Sequence, residues 1–299
     1  MIIVLKGGTS AERQVSMWTA ASFAQALRFL KLEFKEIDAA DTNWIDQTIG
    51  SSPEIVLIAL HGPYGEDGTV QRILEKNKIA FIGSDSIASS IAIDKTKMKQ
   101  LVAELGIAVP KSATFIQSET IFWNGEFPVV VKPNKGGSSY GVSVADNDNT
   151  LQSAVAEAIT FGSEILVEEF IDGREFSCAI ILMEGQQRAL PIVEILHLGK
   201  LFDFEAKYNN AGCVEVCPAE IDGSLARRIQ DASIVVFNSI SCRHYARCDW
   251  IVRDNVLYFL EIITLPGMTK TSLLPKELLA AGIAFPSFLY DLIQSTKLK

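Results

Sequence analysis

Hydrophobic positions along this chain switch between the periods of helices and strands. Residues 2–5 read as a strand. Residues 15–29 carry Phe23 and Leu27, with Leu30 just beyond, at the spacing of one helical face. Residues 55–60 form a continuous apolar run of the buried-strand type, and residues 79–82 form another. This alternation predicts a parallel α/β unit over residues 1–84. Ligands bind such units at loops following the C-terminal ends of strands. Two loops stand there: Lys6-Gly7-Gly8-Thr9-Ser10-Ala11-Glu12, and His61-Gly62-Pro63-Tyr64-Gly65-Glu66-Asp67-Gly68.

A second unit covers residues 85–174. The pattern predicts one helix over 87–105 carrying Asp94, Lys95, Lys97 and Lys99, then a strand at 127–132 returning at 142–144. A helix at about 151–161 and a strand at 164–168 follow. The third unit, 175–299, mixes strands with predicted helices at 224–242 and 276–293. No internal repeat and no low-complexity linker separates the units, so close packing is expected.

Near the C-terminus two apolar runs flank Asp254-Asn255, a turn signal. Folding the chain there sets Asp249 nearly opposite Glu261. Alternation then puts Arg247 and Asp249 on the same face as Glu261 and Ile263. Two carboxylates facing each other repel unless a cation or proton lies between them, and such pairs often hold a divalent metal.

Composition narrows the function classes. The chain has 299 residues, 48% hydrophobic, enough for more than one core. Its apolar runs are interrupted too often for a membrane span, and no leader peptide is expected. Net charge is −9, which disfavours nucleic acid as a partner and leaves room for a local basic pocket. The five cysteines lack zinc-like pairing and read as reduced cytoplasmic thiols.

Several segments carry chemistry. Asn134-Lys135-Gly136-Gly137-Ser138-Ser139-Tyr140-Gly141 is rich in backbone N–H groups and hydroxyls that can close over phosphate oxygens, although an ordinary glycine-rich hairpin has the same composition. Lys132 ends the preceding strand and could serve the same phosphates. Neither a Walker A loop nor a G-x-G-x-x-G fingerprint is present. Glu12 stands where it could favour a helix dipole or bind a substrate ammonium. His61 lies in a typical ligand loop. Gly267 in Pro266-Gly267-Met268-Thr269 could offer an N–H to an oxyanion, and Ser272-Leu273 opens a helix that could receive a carboxylate.

In their order along the chain these segments resemble the D-alanine–D-alanine ligase family of the ATP-grasp superfamily. The resemblance rests on Gly7 to Arg13 with Val15-Ser16, His61-Gly62 with Gly65 to Gly68, and Asp94-Lys95. It continues through Val131-Lys132-Pro133 with Gly137 to Ser139, Glu168-Glu169 with Glu175, and Glu205-Ala206-Lys207-Tyr208. It ends with Arg247, Asp249, Glu261, Pro266 to Thr269 and Ser272-Leu273.

The resemblance implies an α/β (α+β) fold of three domains with ATP gripped between the middle and last. It implies ligation of two D-alanines through an acyl phosphate, with Mg²⁺ or Mn²⁺ on Asp249 and Glu261. By resemblance, Lys95, Lys132 and Lys207 serve the ATP phosphates beside Ser138 and Ser139. Glu168, Glu169, Phe170 and Ile171 line the adenine pocket, and Glu175 holds the ribose. Glu12 binds the first amine in a set with Ser138 and Tyr208, with His61 nearby; Arg247 and Gly267 stabilise the oxyanion; Ser272 and Leu273 hold the second carboxylate. Tyr208 matches the form associated with an amine as second substrate. A cytoplasmic homodimer serving peptidoglycan synthesis, with no nucleic-acid or membrane partner, is implied as well.

One position departs from the family. Its pattern reads Glu-x-Asn-Thr after the second carboxylate, whereas here the run is Glu261-Ile262-Ile263-Thr264, and Ile263 has no oxygen for a metal. Water could replace that ligand, or a metal could be lost. A paralogous ligase with another amino-acid or amine substrate, or a catalytically impaired nucleotide-binding homologue, therefore remains open at the level of sequence. Smaller departures fall at residues 241–247, where the family usually has glycines.

Overall fold

A computed structural model describes residues 1–116, 121–137, 140–197 and 213–297. The first unit is a parallel sheet of β1 (Ile2–Lys6), β2 (Phe34–Asp38), β3 (Ile55–Ile58) and β4 (Phe81–Ile82), in the order β2-β1-β3-β4. Parallel neighbours need crossovers, supplied by α1 (Arg13–Phe29), α2 (Trp44–Gly50) and α3 (Thr69–Lys76). The sequence pattern misses β2, because this half-buried edge strand reads Phe-Lys-Glu-Ile-Asp. It matters for the first ligand loop. Asp38 at its end accepts from Gly8 N at 3.1 Å and takes both arms of the Arg13 guanidinium, at 3.0 and 2.6 Å.

The single helix expected over 87–105 is two, α4 (Ser86–Ala92) and α5 (Lys95–Glu104). Asp94 takes extended backbone and caps α5, accepting from Lys97 N at 3.2 Å. Asn134, from the glycine-rich segment, secures the break: its Oδ1 accepts from Thr96 N at 2.9 Å, and its amide donates to Asp94 Oδ1 at 2.9 Å. Lys95 thereby becomes the first residue of a helix rather than its middle.

The second sheet contains β5 (Ser112–Ile116), β6 (Val129–Pro133), β7 (Ser143–Ala145) and β8 (Glu164–Glu169) in the order β5-β8-β6-β7, all antiparallel, with α6 (Asp148–Ala158) on one face. The third sheet adds β9 (Arg174–Met183), β10 (Gln186–Ala189), β11 (Val193–His197) and β12 (Cys213–Val216). After α7 (Gly223–Ser239) come β13 (Tyr245–Arg253) and β14 (Val256–Ile263). Its order is β12-β11-β9-β13-β14, with β10 also pairing β9. Beneath it lie Trp250 and Phe259, edge to face with ring centres 5.4 Å apart, and Trp250 Nε1 donates to Ser233 Oγ of α7 at 2.9 Å.

The acidic hairpin folds as its sequence predicts. Asp254 and Asn255 both have positive φ, 51° and 63°, as a two-residue hairpin turn with right-handed twist requires. Asp249 pairs with Glu261 and Arg247 with Ile263; a register shift follows Asp249.

The helix expected at 276–293 is also two, α8 (Leu273–Ala280) and α9 (Phe285–Lys297), bent by 100°. Gly282, at φ 72°, closes α8, with Ile283 N donating to Leu278 O at 2.8 Å. Both helices pack back on the first unit: Leu274, Leu278, Phe288 and Leu292 share a core with Ile3, Leu5 and Leu57. Among the described residues no single helix is long and apolar enough to cross a membrane; the bent pair passes by length and composition together, and here much of its apolar surface lies in this core.

Candidate active site

Two cavities meet above the acidic hairpin. The larger, about 330 Å³, is lined from the second sheet by Lys132 and Glu168 and from the third by Arg247, Asp249 and Glu261, with Lys95 at the start of α5. Glu169, Phe170, Ile171 and Glu175 line the same cavity. Lys95 donates to Gly136 O at 2.7 Å and lies 3.2 Å from Glu261. The buried Lys132 forms an ion pair with Glu168 Oε1. Arg253 lies 3.3 Å from Glu169.

The smaller cavity, about 80 Å³, gathers Glu12, His61, Arg247, Gly267, Ser272 and Leu273. These come from four separate stretches of chain. Glu12 immediately precedes α1, and its side chain makes no cap hydrogen bond. Its carboxylate lies instead against Gly62, where a Cβ would stand 2.6 Å from Oε1 and φ is already +70°. His61 is set by both ring nitrogens, Nε2 at 2.9 Å from Thr19 Oγ1 and Nδ1 at 3.2 Å from Glu66. Ser272, the residue before α8, reaches back to Thr269: its Oγ accepts from Thr269 N at 3.1 Å. Gly137 and Arg247 line both cavities, so the two spaces share a wall.

The facing carboxylates carry their own cations. Arg247 grips Asp249 with two arms, Nε to Oδ1 at 2.9 Å and NH2 to Oδ2 at 2.7 Å, and Ser177 Oγ donates to Oδ1 at 2.7 Å. Burial works against the charge of Arg247, but Asp249 outweighs it and the guanidinium is held above its ordinary range. Glu261 has Lys95. Among the described residues no three His, Cys, Asp or Glu side chains converge on one point, and Ile263 brings hydrocarbon to the smaller cavity beside Arg247.

Ser138, Ser139, Lys207 and Tyr208 lie outside the described residues, as do Glu205 and Ala206. Sequence reasoning passed over three buried groups beside the site. Lys99, one helical turn after Lys95, lies 2.8 Å from Glu168 Oε2; the i, i+4 spacing was its only signal. Ser177 shares a strand face with Glu175. Glu277, fully buried on α8, accepts from Ala179 N at 2.8 Å, and burial pushes its carboxyl up to about 8. Cys178, Cys217, Cys242 and Cys248 are free thiols.

Two antiparallel sheets closing on a lysine-lined cavity, with a parallel-sheet unit supplying a second polar cavity, define an ATP-grasp protein. The family described as D-ala D-ala ligase C-terminus matches residues 101–294, and that described as D-ala D-ala ligase N-terminus matches residues 35–84. The chain belongs to the D-alanine–D-alanine ligase family. A D-alanine–D-alanine ligase of Syntrophotalea carbinolica is 37% identical over 299 residues, covering 100% of this chain and 96% of the relative. D-alanine–D-alanine ligase A of Bacillus cereus is 38% identical over 301 residues, covering 99% and 98%. The crystal structure of D-alanine–D-alanine ligase from Bacillus anthracis complexed with ATP matches with a TM-score of 0.85 at 35% identity, covering 99% of this chain and 97% of that one.

Proposed function

We infer that this protein joins two D-alanines into D-alanyl-D-alanine at the expense of ATP, for peptidoglycan precursor synthesis. One observation carries the chemistry: Arg247 and Gly137 wall both cavities, so a phosphate in the larger and a carboxylate in the smaller can meet. The carboxylate oxygen of the first D-alanine attacks the γ-phosphorus, giving an acyl phosphate and ADP. The neutral amine of the second D-alanine attacks the acyl carbon, and the tetrahedral intermediate loses phosphate and the amine proton to leave the peptide.

Phosphoryl transfer needs positioning and neutralised charge more than covalent chemistry. Lys95, Lys132 and Lys207 supply positive charge to the phosphates, beside Ser138 and Ser139. Glu168 to Ile171 receive adenine and Glu175 the ribose. Glu12 binds the first ammonium, in a set with Ser138 and Tyr208 and with His61 behind it. Arg247 and the Gly267 N–H stabilise the oxyanion, and Ser272 with Leu273 receive the second carboxylate. The burial of Glu12 and its closeness to Gly62 support the first of these amino-acid roles.

Asp249 and Glu261 offer hard carboxylate oxygens on adjacent strands, a donor set that fits Mg²⁺ or Mn²⁺ completed by phosphate oxygens and water. That ion supplies neutralisation of the transferred phosphate's charge. The reading includes functional units at 1–84, 85–174 and 175–299, and a cytoplasmic homodimer without nucleic-acid or membrane partners. A coupled ATP-turnover assay over a panel of D-amino acids, run with Mg²⁺ and then Mn²⁺, tests it. Phosphate release that depends on D-alanine is the expected result. Turnover only with another amino acid, or none with any, would overturn it.

A further inference from the structure

Glu168 is enclosed by two ammonium groups. Lys132 pairs with its Oε1, and Lys99 Nζ stands 2.8 Å from its Oε2. Lys99 and Glu168 are 3% and 2% exposed, so solvent screens neither. The second contact is near but not aligned: Lys99 Nζ and Glu168 Oε2 remain buried atoms without a hydrogen-bond partner. The attraction between them is chiefly Coulombic. The two lysines differ in one respect. Lys132 lines the larger cavity together with Glu168, whereas Lys99 stands behind Glu168, outside the lining.

The three groups sum to one net positive charge in a buried wall, which favours an anion in the cavity. An entering phosphate can reach Lys132 and cannot reach Lys99. When Lys132 turns toward that phosphate, Glu168 would be left as a buried carboxylate without a cation, unless a second one stays in place. We propose that Lys99 is that second cation: a positioning residue that keeps Glu168 ionised and in place while Lys132 serves the nucleotide's phosphate, and so makes the site select a purine that presents an amino donor.

The selectivity follows from the inventory of the carboxylate. An ionised Glu168 can only accept hydrogen bonds, so it suits the exocyclic amino group of adenine. It opposes the O6 of hypoxanthine, which is itself an acceptor. A protonated Glu168 would lose this preference, because its hydroxyl can donate to O6. Burial alone would push Glu168 up, but Lys132 and Lys99 outweigh it and hold the carboxyl below its ordinary range. Lys99 bears the strain of this arrangement. Burial, set against the pull of Glu168 and reinforced by Lys132, brings its ammonium down to about 8.

This inference rests on reading the larger cavity as the ATP site. The test is nucleotide binding and steady-state kinetics of Lys99→Met beside the wild-type protein, with ATP and inosine triphosphate as probes. The expected result is a loss of roughly tenfold in affinity for ATP and a smaller loss for inosine triphosphate, so that the ATP preference falls several-fold while the KM for D-alanine is unchanged. A preserved preference in Lys99→Met overturns the proposal. Failure of the wild-type protein to bind ATP overturns instead the reading of the cavity. Should Lys99→Met not fold, Lys99→Gln carries the test: it is uncharged but polar beside Glu168 Oε2, and the ATP preference is expected to fall in the same direction. A retained preference in Lys99→Gln overturns the proposal.

Discussion

Asp249 and Glu261 face each other across the β13–β14 hairpin, and each is held by a cation, one from the same strand and one from the start of α5. Arg247 takes Asp249 at 2.7 and 2.9 Å, and Lys95 stands 3.2 Å from Glu261. The pair is thus already compensated before any nucleotide or metal arrives. A metal entering here must share Asp249 with Arg247, and Ile263 offers it nothing.

Replacing Ile263 with Asn restores an oxygen at that point. Ile263→Asn is expected to raise turnover or to lower the Mg²⁺ concentration giving half-maximal rate by about tenfold, the lower end of what a ligand-shell change does to metal affinity. An unchanged metal titration would show that Ile263 lies outside the metal's surroundings. Asp249→Ala should abolish turnover, and Asp249→Asn should do the same with less loss of melting temperature, because its amide oxygen still meets the buried Arg247.

Arg247→Lys keeps a positive charge but loses the two-armed geometry seen on Asp249. Its expected effect is a fall in kcat of about 10²-fold, in the range for loss of one oxyanion donor, with a small change in the KM for ATP. A fall confined to the ATP KM would move Arg247 from the oxyanion to the nucleotide.

Gly62 has φ +70°, and a Cβ there would stand 2.6 Å from Glu12 Oε1. Gly62→Ala should therefore displace the Glu12 carboxylate, with a backbone cost of about 1–2 kcal/mol. The KM for the first D-alanine is expected to rise by tenfold or more, with ATP binding retained. An unaltered D-alanine KM would remove Glu12 from the ammonium site.

Glu277 gives a pH dependence of stability. Burial raises its folded value to about 8 from the ordinary 4.5. Below pH 4.5 folded and unfolded chains both hold the proton. Between 4.5 and 8 the folded chain keeps a proton that the unfolded chain has released, so stability falls as pH rises and the loss is complete above 8. The upper bound of that loss is about 5 kcal/mol. Glu277→Gln keeps an acceptor for the Ala179 N–H and cannot ionise, so its melting temperature should overtake the wild type's as pH rises from 5 to 9. Parallel melting curves across that range would contradict the raised value.

How much of this was legible in the sequence depended on how local the cause was. The Asp254-Asn255 turn, the pairing of Asp249 with Glu261, and the ligand loops after β1 and β3 follow from alternation and turn chemistry within a few residues. The ordered motifs identified the family for the same reason. Where distant groups compete with local periodicity, the sequence misled: Asp94 and Asn134 break an apparently continuous helix, and Gly282 turns another through 100° so that α8 and α9 join the first core. Alternation had already put Arg247 beside Asp249, but tertiary structure alone decided which cation meets the other carboxylates: Lys95 on Glu261, and Lys99 behind Glu168. It alone gave the two cavities a common wall at Gly137 and Arg247. Residue type and spacing set what each group can donate or accept; burial and packing set its partner, because an ion removed from water must find its counter-ion wherever the fold brings one.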